Sequence, residues 1–150
     1  MGYHSATSAI EARFQANWTA DATTLRTPVR FGDARLWLTR VDGASSRLEP
    51  PVGAEWAWLT VLFGAGTVAS LSAPTCLVRT VGLIQLSLFT PKGKGAGALT
   101  TLADLAVPIF ERQQFGGLNC FERQVAGSIP DAQWDGLLLR IPFDFDEASA

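Results

Sequence analysis

Histidine is scarce in this chain of 150 residues: His4 is the only one. A single histidine this close to the chain start makes histidine-based catalytic triads and two-histidine metal sites poor propositions. The pattern G-x-S-x-G, which holds a serine nucleophile on a sharp turn, is absent as well. We therefore predict a protein that is not an enzyme and has no catalytic residue, no cofactor and no metal site.

Lysine is scarce too, since Lys92 and Lys94 are the only two. The 12 basic and 14 acidic residues are spread along the chain and give a net charge of −2. No basic run could follow a nucleic-acid backbone. No apolar run reaches the roughly 18 residues that cross a bilayer, and the N-terminus lacks the basic and apolar blocks of a secretion signal. We expect a soluble protein without membrane contact, made and used inside a cell.

Only two cysteines occur, Cys76 and Cys120, and both lie in apolar, strand-like segments. Buried free thiols are the favoured interpretation in a reducing cytosol, with a disulfide as the alternative. Two cysteines without companion ligands do not make a zinc site.

What the chain does have is apolar content: 47% of its residues are hydrophobic and 17% are charged. This composition argues against disorder, and the length suits one domain over residues 1–150 with a single core. Residues 1–4 and 147–150 are expected to be flexible ends.

Hydrophobic periodicity predicts the elements. An apolar stripe of Ile10, Phe14 and Trp18 indicates a helix over residues 5–18. A polar linker (19–28), a strand (29–41) and a loop (42–55) follow. Long alternating runs at 55–66 and 76–89, with a turn at 71–75, predict an antiparallel hairpin whose arms project beyond the domain body.

In the second half, spacings of three and four indicate a helix over 98–115, which Pro108 should kink or divide. Strands are predicted at 118–126 and 137–147, and Pro142 favours an edge or bulged position for the last. The order predicts an α+β fold: one domain, with an antiparallel or mixed β-sheet, a long β-hairpin and two main packing helices.

Two surfaces in the hairpin are candidates for contact with a partner. The second strand has one solid apolar face and one mixed face, which carries Arg79, Gln85 and Ser87. On the first strand, Trp56 and Trp58 share a face and form either a second core layer under a helix or an exposed patch for a partner.

The stretch "TPKGKGAG" (90–97) has the glycines and lysines of a phosphate-binding loop. A P-loop needs a hydroxyl residue directly after its lysine, but glycine follows Lys94 and no hydroxyl appears before Thr100. The glycines do not fit the dinucleotide pattern G-x-G-x-x-G either. We interpret the stretch as a turn between a strand and a helix, although a helix N-terminus can still bind anions weakly.

In the order of its predicted helices and strands and in its motifs, the chain resembles the tail terminator family of long-tailed bacteriophages, also called minor tail or tail completion proteins. The resemblance covers residues 10 to 146. Its segments are "SAIEARFQANW", "TPVRFGD", "WAWLTVLFG", "CLVRTVGLIQLSLFTPKGKGAG" and the closing aromatic strand. A run of the form R-x-x-G…F-x-P-x-G-x-G carries most of the match, through Arg79, Gly82, Ile84, Leu86, Leu88, Phe89, Pro91, Gly93 and Gly95.

The resemblance implies a structural virion protein of a phage or related gene-transfer particle, assembled in the host bacterial cytoplasm and located at the tail and neck. Its copies would form a ring, six-fold in the family, that caps the tail tube, ends tube polymerisation and offers a surface to the neck. Its partners would be itself, the tail tube protein and a neck or head-completion protein. DNA would pass through the lumen without specific binding. The expected interface residues are Arg79, Gln85, Ser87, Trp56, Trp58, Lys92 and Lys94.

Three alternatives remain open at this stage. One is a neck or head-closure adaptor, which would bind the portal side. Another is a small anion- or nucleotide-binding enzyme that uses loop 92–97. The last is a host-encoded interaction module with a similar sheet.

Overall fold

The structure, a computed structural model, describes residues 2–33, 37–41, 53–72 and 75–149. Within these residues the chain forms two helices and eight strands, in this order: α1 (Tyr3–Asn17), β1 (Thr24–Phe31), β2 (Leu38–Arg40), β3 (Trp56–Ser72), β4 (Thr75–Pro91), α2 (Ala96–Phe110), β5 (Gln114–Phe115), β6 (Leu118–Cys120), β7 (Gln124–Ile129) and β8 (Trp134–Ser149).

All eight strands join one mixed sheet, in the order β2-β1-β3-β4-β8-β6-β5, with β7 also paired to β8. The pair β1–β3 is parallel and the other pairs are antiparallel. Strand β4 pairs along its whole length with β3 on one side and β8 on the other. The predicted α+β class, with its long hairpin and two helices on one sheet, is confirmed.

Both helices pack on the same face of the sheet, which we call the helix face. The buried stripe of α1 is Ala6, Ile10 and Phe14, as the spacing predicted, and Trp18 continues it. The Phe14 ring stacks on Trp18 at 5.3 Å between centroids and on Phe110 of α2 at 6.0 Å. Each large apolar side chain buried here stabilises the fold by about 1.5–3 kcal/mol.

The strand predicted over 29–41 is wrong as a single element. Strand β1 begins at Thr24, inside the predicted linker, and ends at Phe31. Gly32 then adopts a φ of 55°, a left-handed conformation that glycine reaches without steric cost, and the chain turns there. Because of this turn, β2 runs back antiparallel to β1. Most of the predicted loop 42–55 lies outside the described residues, as does the turn between β3 and β4.

The predicted division of the second helix at Pro108 is also wrong. Helix α2 continues to Phe110, and the N–H of Glu111 still donates to the carbonyl of Val107. Pro108 lies in the last turn on the exposed side, where water can reach the carbonyl of Asp104 that the missing N–H leaves without a helical partner.

The predicted strand 118–126 divides into β6 and β7, which pair end to end with the same edge of β8. Pro142 lies between the two paired stretches, at 143–145 and 136–140. Pro142 therefore lies where β8 pairs with neither β6 nor β7. Strand β8 is an interior strand of the sheet and not the edge strand that the sequence favoured. Of the ends expected to be flexible, residues 3–4 belong to α1 and residues 147–149 to β8. The Tyr3 ring contacts Phe63, with centroids 4.7 Å apart.

Beyond Tyr3 the sheet continues without helical cover, which confirms that the hairpin projects. We call this part the arm: residues 64–72 of β3, 75–81 of β4 and 146–149 of β8. At about 3.3 Å per residue it extends for roughly 25 Å. The described side chains of β3 in the arm are all exposed.

Gly82 marks the point where the arm leaves the body. A Cβ at this position would lie 2.5 Å from the carbonyl oxygen of Leu62 and 2.5 Å from the Phe143 ring. We expect Gly82→Ala to lower the free energy of unfolding by about 1–3 kcal/mol, because backbone and a packed ring must both move. Urea unfolding measures the change.

Gly97→Ala is the matched control. Nothing lies within 4 Å of a Cβ there, and Gly97 is in the first turn of α2. Alanine should stabilise the chain by about 0.4–1 kcal/mol. Equal stability of the two variants would contradict the close packing at Gly82.

Candidate interaction surface

Alternation along β3, β4 and β8 places a second set of side chains on the side away from the helices, which we call the open face. Among the described residues, no helix covers it. Register defines rows of side chains across the strands, because directly paired residues of antiparallel strands point to the same face. The predicted residues Arg79, Gln85 and Ser87 of β4 all belong to the open face.

At the end of the sheet far from the arm, the open face carries a second apolar cluster of Trp37, Trp56, Phe89 and Trp134. Trp56 stacks on Phe89 at 4.0 Å between centroids and meets the edges of Trp37 and Trp134. Only 6% of its surface remains exposed, and its Nε1 is buried without a hydrogen-bond partner. Trp56 therefore belongs to a core layer, as one alternative predicted, but aromatic side chains cover it rather than the predicted helix, and it offers little surface to a partner.

Trp58 lies one row nearer the arm and is half-buried. Its Nε1 donates a hydrogen bond of 2.6 Å to the carbonyl of Gly32. The guanidinium of Arg30 lies 4.5 Å from the centre of its ring, at cation–π distance. Trp58 thus fixes the turn after β1, and its remaining surface lies beside Ser87, its partner in the register.

The next row is polar and crosses four strands: Thr60, Gln85, Arg140 and Gln124 pair in succession. Arg140 is half-buried, and its Nε is buried without a hydrogen-bond partner. The sequence placed Arg140 on the outer side of the last strand but gave no reason to select it. Only the register shows that it stands beside Gln85 in the middle of the open face.

In the arm, Arg79 is already paired within its own chain. Its Nε and an Nη donate to the two carboxylate oxygens of Asp146, at 2.8 and 3.0 Å. The hydrogen bond from Arg79 holds the pKa of Asp146 below its ordinary value, and Asp146 raises the pKa of Arg79. Both side chains are exposed, so this bidentate pair fixes the register of β4 and β8 more than it adds stability.

The arm also exposes apolar side chains. Leu71 is 86% exposed, Val68 58%, Val81 47% and Leu77 40%. Register places Val68 and Leu71 on the helix face and Leu77 and Val81 on the open face. The outer edge of β3 is open as well: within the described residues, β1 pairs only with Ala57–Leu59 and no strand pairs with the outer edge of residues 60–72.

Loop 92–97 lies at the opposite end of β4, as the predicted turn between a strand and a helix. Gly93 and Gly95 have φ of 92° and 82°, which explains the glycines as a requirement of the turn. Lys92 and Gly95 line a cleft of about 420 Å³, but Asp131 and Asp135 line it too. Lys94 is exposed, and the loop brings neither lysine near Arg79 or Gln85.

A wider cleft of about 750 Å³ lies between β6, β7 and the turn after α2. Cys120 lines it, and burial raises the pKa of this thiol to about 12. Both cysteines are free thiols, as expected, although Cys76 is only half-buried.

No group of three or more histidine, cysteine or acidic side chains suited to a metal ion occurs in the described ranges. Neither helix is long and apolar enough to cross a membrane, considering the same residues.

Comparisons with known proteins support the fold. No family model matches the chain, and no curated protein matches it. One protein of solved structure, whose name describes no function, is similar over 100% of this chain and 99% of its own. The TM-score is 0.65 and the sequence identity is 16%. At that identity the likeness shows the fold alone.

The two thiols should differ in reactivity. At pH 8 the raised pKa of Cys120 leaves about a thousandfold less thiolate than an ordinary cysteine has, and the thiolate is the nucleophile. We therefore expect iodoacetamide to modify the native protein at Cys76 and to spare Cys120 until the chain unfolds. Peptide mass mapping over time measures both rates, with the unfolded chain as the control. Comparable rates in the native protein would contradict the burial of Cys120.

Inorganic phosphate should not bind loop 92–97, because Asp131 and Asp135 repel an anion from the same cleft. Titration with millimolar phosphate should leave the backbone amide resonances of residues 92–97 unshifted. Sodium chloride at equal ionic strength is the control. Saturable shifts confined to these amides would contradict this prediction and favour the anion-binding alternative.

Proposed function

We propose that this protein is a structural component of a bacteriophage tail, a tail terminator whose copies form a ring on the end of the tail tube. The observation that carries the proposal is the arm, which extends from a compact body and which no other described element covers on either face or along one long edge. A chain that acts alone has little use for such an arm. A chain that acts by joining copies of itself needs surfaces of this kind.

The edge of β3 supports assembly. Residues 60–72 contain no charged residue and no proline. Natural proteins protect open strand edges with charges, prolines, β-bulges or short length, because an unprotected edge pairs with other chains. Register shifts between Phe63 and Gly66 and between Val68 and Ser70 interrupt this edge, but it carries no charge and no proline. An uncharged edge of 13 residues is therefore a liability unless another chain covers it in the working state.

The two faces of the arm support a cyclic assembly. A ring requires a head-to-tail interface, in which two different patches of each subunit fit each other. The arm and the open face of the body are two such patches. The residues expected at the interface divide between them: Arg79 belongs to the arm, whereas Gln85 and Ser87 belong to the body. Lys92 and Lys94 lie at the far end of the sheet, where the tube or the neck would make contact.

The charge of the arm is compatible with a lumen that DNA crosses. The arm carries one basic residue, Arg79, and two acidic residues, Asp146 and Glu147, for a net charge of −1. A surface of this kind does not hold a phosphate backbone. In this proposal the protein is assembled in the bacterial cytoplasm and remains in the virion, between tail tube and neck.

Tube capping tests the function directly. The purified protein, mixed with tubes grown from the tube protein of the same particle, should cap one end of each tube with a ring and hold the tube length constant. Negative-stain imaging over time measures the length, and tubes without the protein are the control. Tubes that elongate unchanged would overturn the tail-terminator proposal, and binding to the portal side would favour a neck or head-closure adaptor.

A further inference from the structure

Arg140 differs from those arginines of the described chain that form ion pairs. Arg79 pairs with Asp146, Arg112 with Glu122 and Arg123 with Glu111. Arg140 forms no ion pair within the described residues, although it is half-buried and its Nε is fully buried.

The residues that register places around Arg140 carry no charge, and Glu122, which lines a cleft together with Gln124 and Pro142, is paired with Arg112. The neighbours of Arg140 in its row are Gln85 and Gln124, and the adjoining row consists of Leu62, Leu83 and Pro142. The nearest open-face carboxylate along β8, Asp144, accepts a hydrogen bond from Asn119 and lies about 13 Å along the strand. A partly desolvated guanidinium among neutral side chains is costly, and a carboxylate from another chain would offset that cost.

The arm holds a carboxylate, that of Glu147, whose charge is opposite to that of Arg140. Glu147 is exposed and forms no ion pair within the described residues. It pairs in register with Val78 and therefore points to the helix face of the arm, where Val68 and Leu71 are also exposed. A carboxylate without an ion pair in the described residues thus stands among apolar side chains, whereas Arg140 has neutral polar neighbours in its own row and apolar ones in the adjoining row.

We propose that the open face of one subunit binds the helix face of the arm of a second copy, with the guanidinium of Arg140 donating to the carboxylate of that copy's Glu147. The exposed apolar side chains Val68 and Leu71 of the arm would pack on the Leu62 and Leu83 side of the neighbouring body. This inference names the interface of the ring proposed above and rests on that function.

A second copy is the occupant that the charges favour. Arg140 and Glu147 carry opposite charges, form no ion pair within the described residues and lie on opposite faces of the sheet. Joining copies head to tail therefore satisfies every subunit in the same way, without a surplus of either charge. A different protein would satisfy Arg140 and leave Glu147 exposed among apolar residues.

A charge swap tests the pair. We expect Arg140→Glu and Glu147→Arg each to weaken self-association by about 30-fold or more, because each leaves a desolvated charge against a like charge. The double variant should recover most of the wild-type association. Sedimentation equilibrium over a concentration series measures the constants, and circular dichroism checks that each variant is folded.

Two controls separate the pair from general charge effects. Asp104→Arg changes an exposed acid on α2 by the same two units of charge, and Arg112→Gln removes an exposed cation that is already paired with Glu122. Both should associate like the wild type. Should Arg140→Glu fail to fold, Glu147→Arg still tests the interface, since Glu147 is exposed on the arm.

Assembly should also slow the alkylation of Cys76, which register places beside Leu71 on the helix face of the arm.

Single variants that assemble like the wild type, or a wild-type chain that stays monomeric at millimolar concentration, would overturn this interface. The swap is measured without tubes, so its result is separable from tube capping. Association that follows the swap alongside tubes that elongate unchanged would retain the interface and reject the tail-terminator function.

Discussion

The pairing of β4 along its full length between β3 and β8 is the constraint on which the rest of the structure depends. Strand β4 has 17 residues, which at 3.3 Å per residue span about 55 Å. Each helix has 15 residues and spans only about 22 Å. Two helices side by side therefore cover less than half of the central strands, and the remainder must project as an arm. The exposed edge, the exposed apolar side chains and the proposed assembly all follow from this difference in length.

The same pairing gives the sheet two faces of different character. The helix face holds one continuous core, and at its far limit Tyr3 contacts the Phe63 ring. The open face is divided along its length: an aromatic cluster around Trp56 at one end, a polar row through Arg140 in the middle and a bidentate pair at Arg79 in the arm. Within the described residues, the aromatic end and the middle each hold a buried nitrogen without a partner. Trp56 is nearly enclosed whereas Arg140 is only half-buried, which is why we assign the contact to the middle.

Loop 92–97 has glycines and lysines that suggest phosphate binding, but the geometry of its turn explains the glycines. The glycines at 93 and 95 provide backbone conformations with positive φ that connect β4 to α2, and Asp131 and Asp135 share the adjoining cleft with Lys92. By contrast, Arg140 belongs to no motif. It becomes notable because a buried nitrogen without a partner is expensive and therefore uncommon in folded proteins. The positions that suggested chemistry in the sequence thus serve the fold, and an inconspicuous residue carries the proposed contact.

The sequence by itself determined the class of fold, the two helices, the long hairpin and which residues of each strand share a face, because these follow from local periodicity. It misplaced the strand at 29–41 and the effect of Pro108, since a turn at Gly32 and the exposure of a last helical turn depend on what packs nearby. Only the tertiary structure decided which residues of neighbouring strands stand beside each other. Alternation fixes the face of a residue, but register fixes its neighbour, and register arises from contacts between strands far apart in the chain. For that reason Trp56 could not be assigned to a core, nor Arg140 to an interface, before the strands were paired.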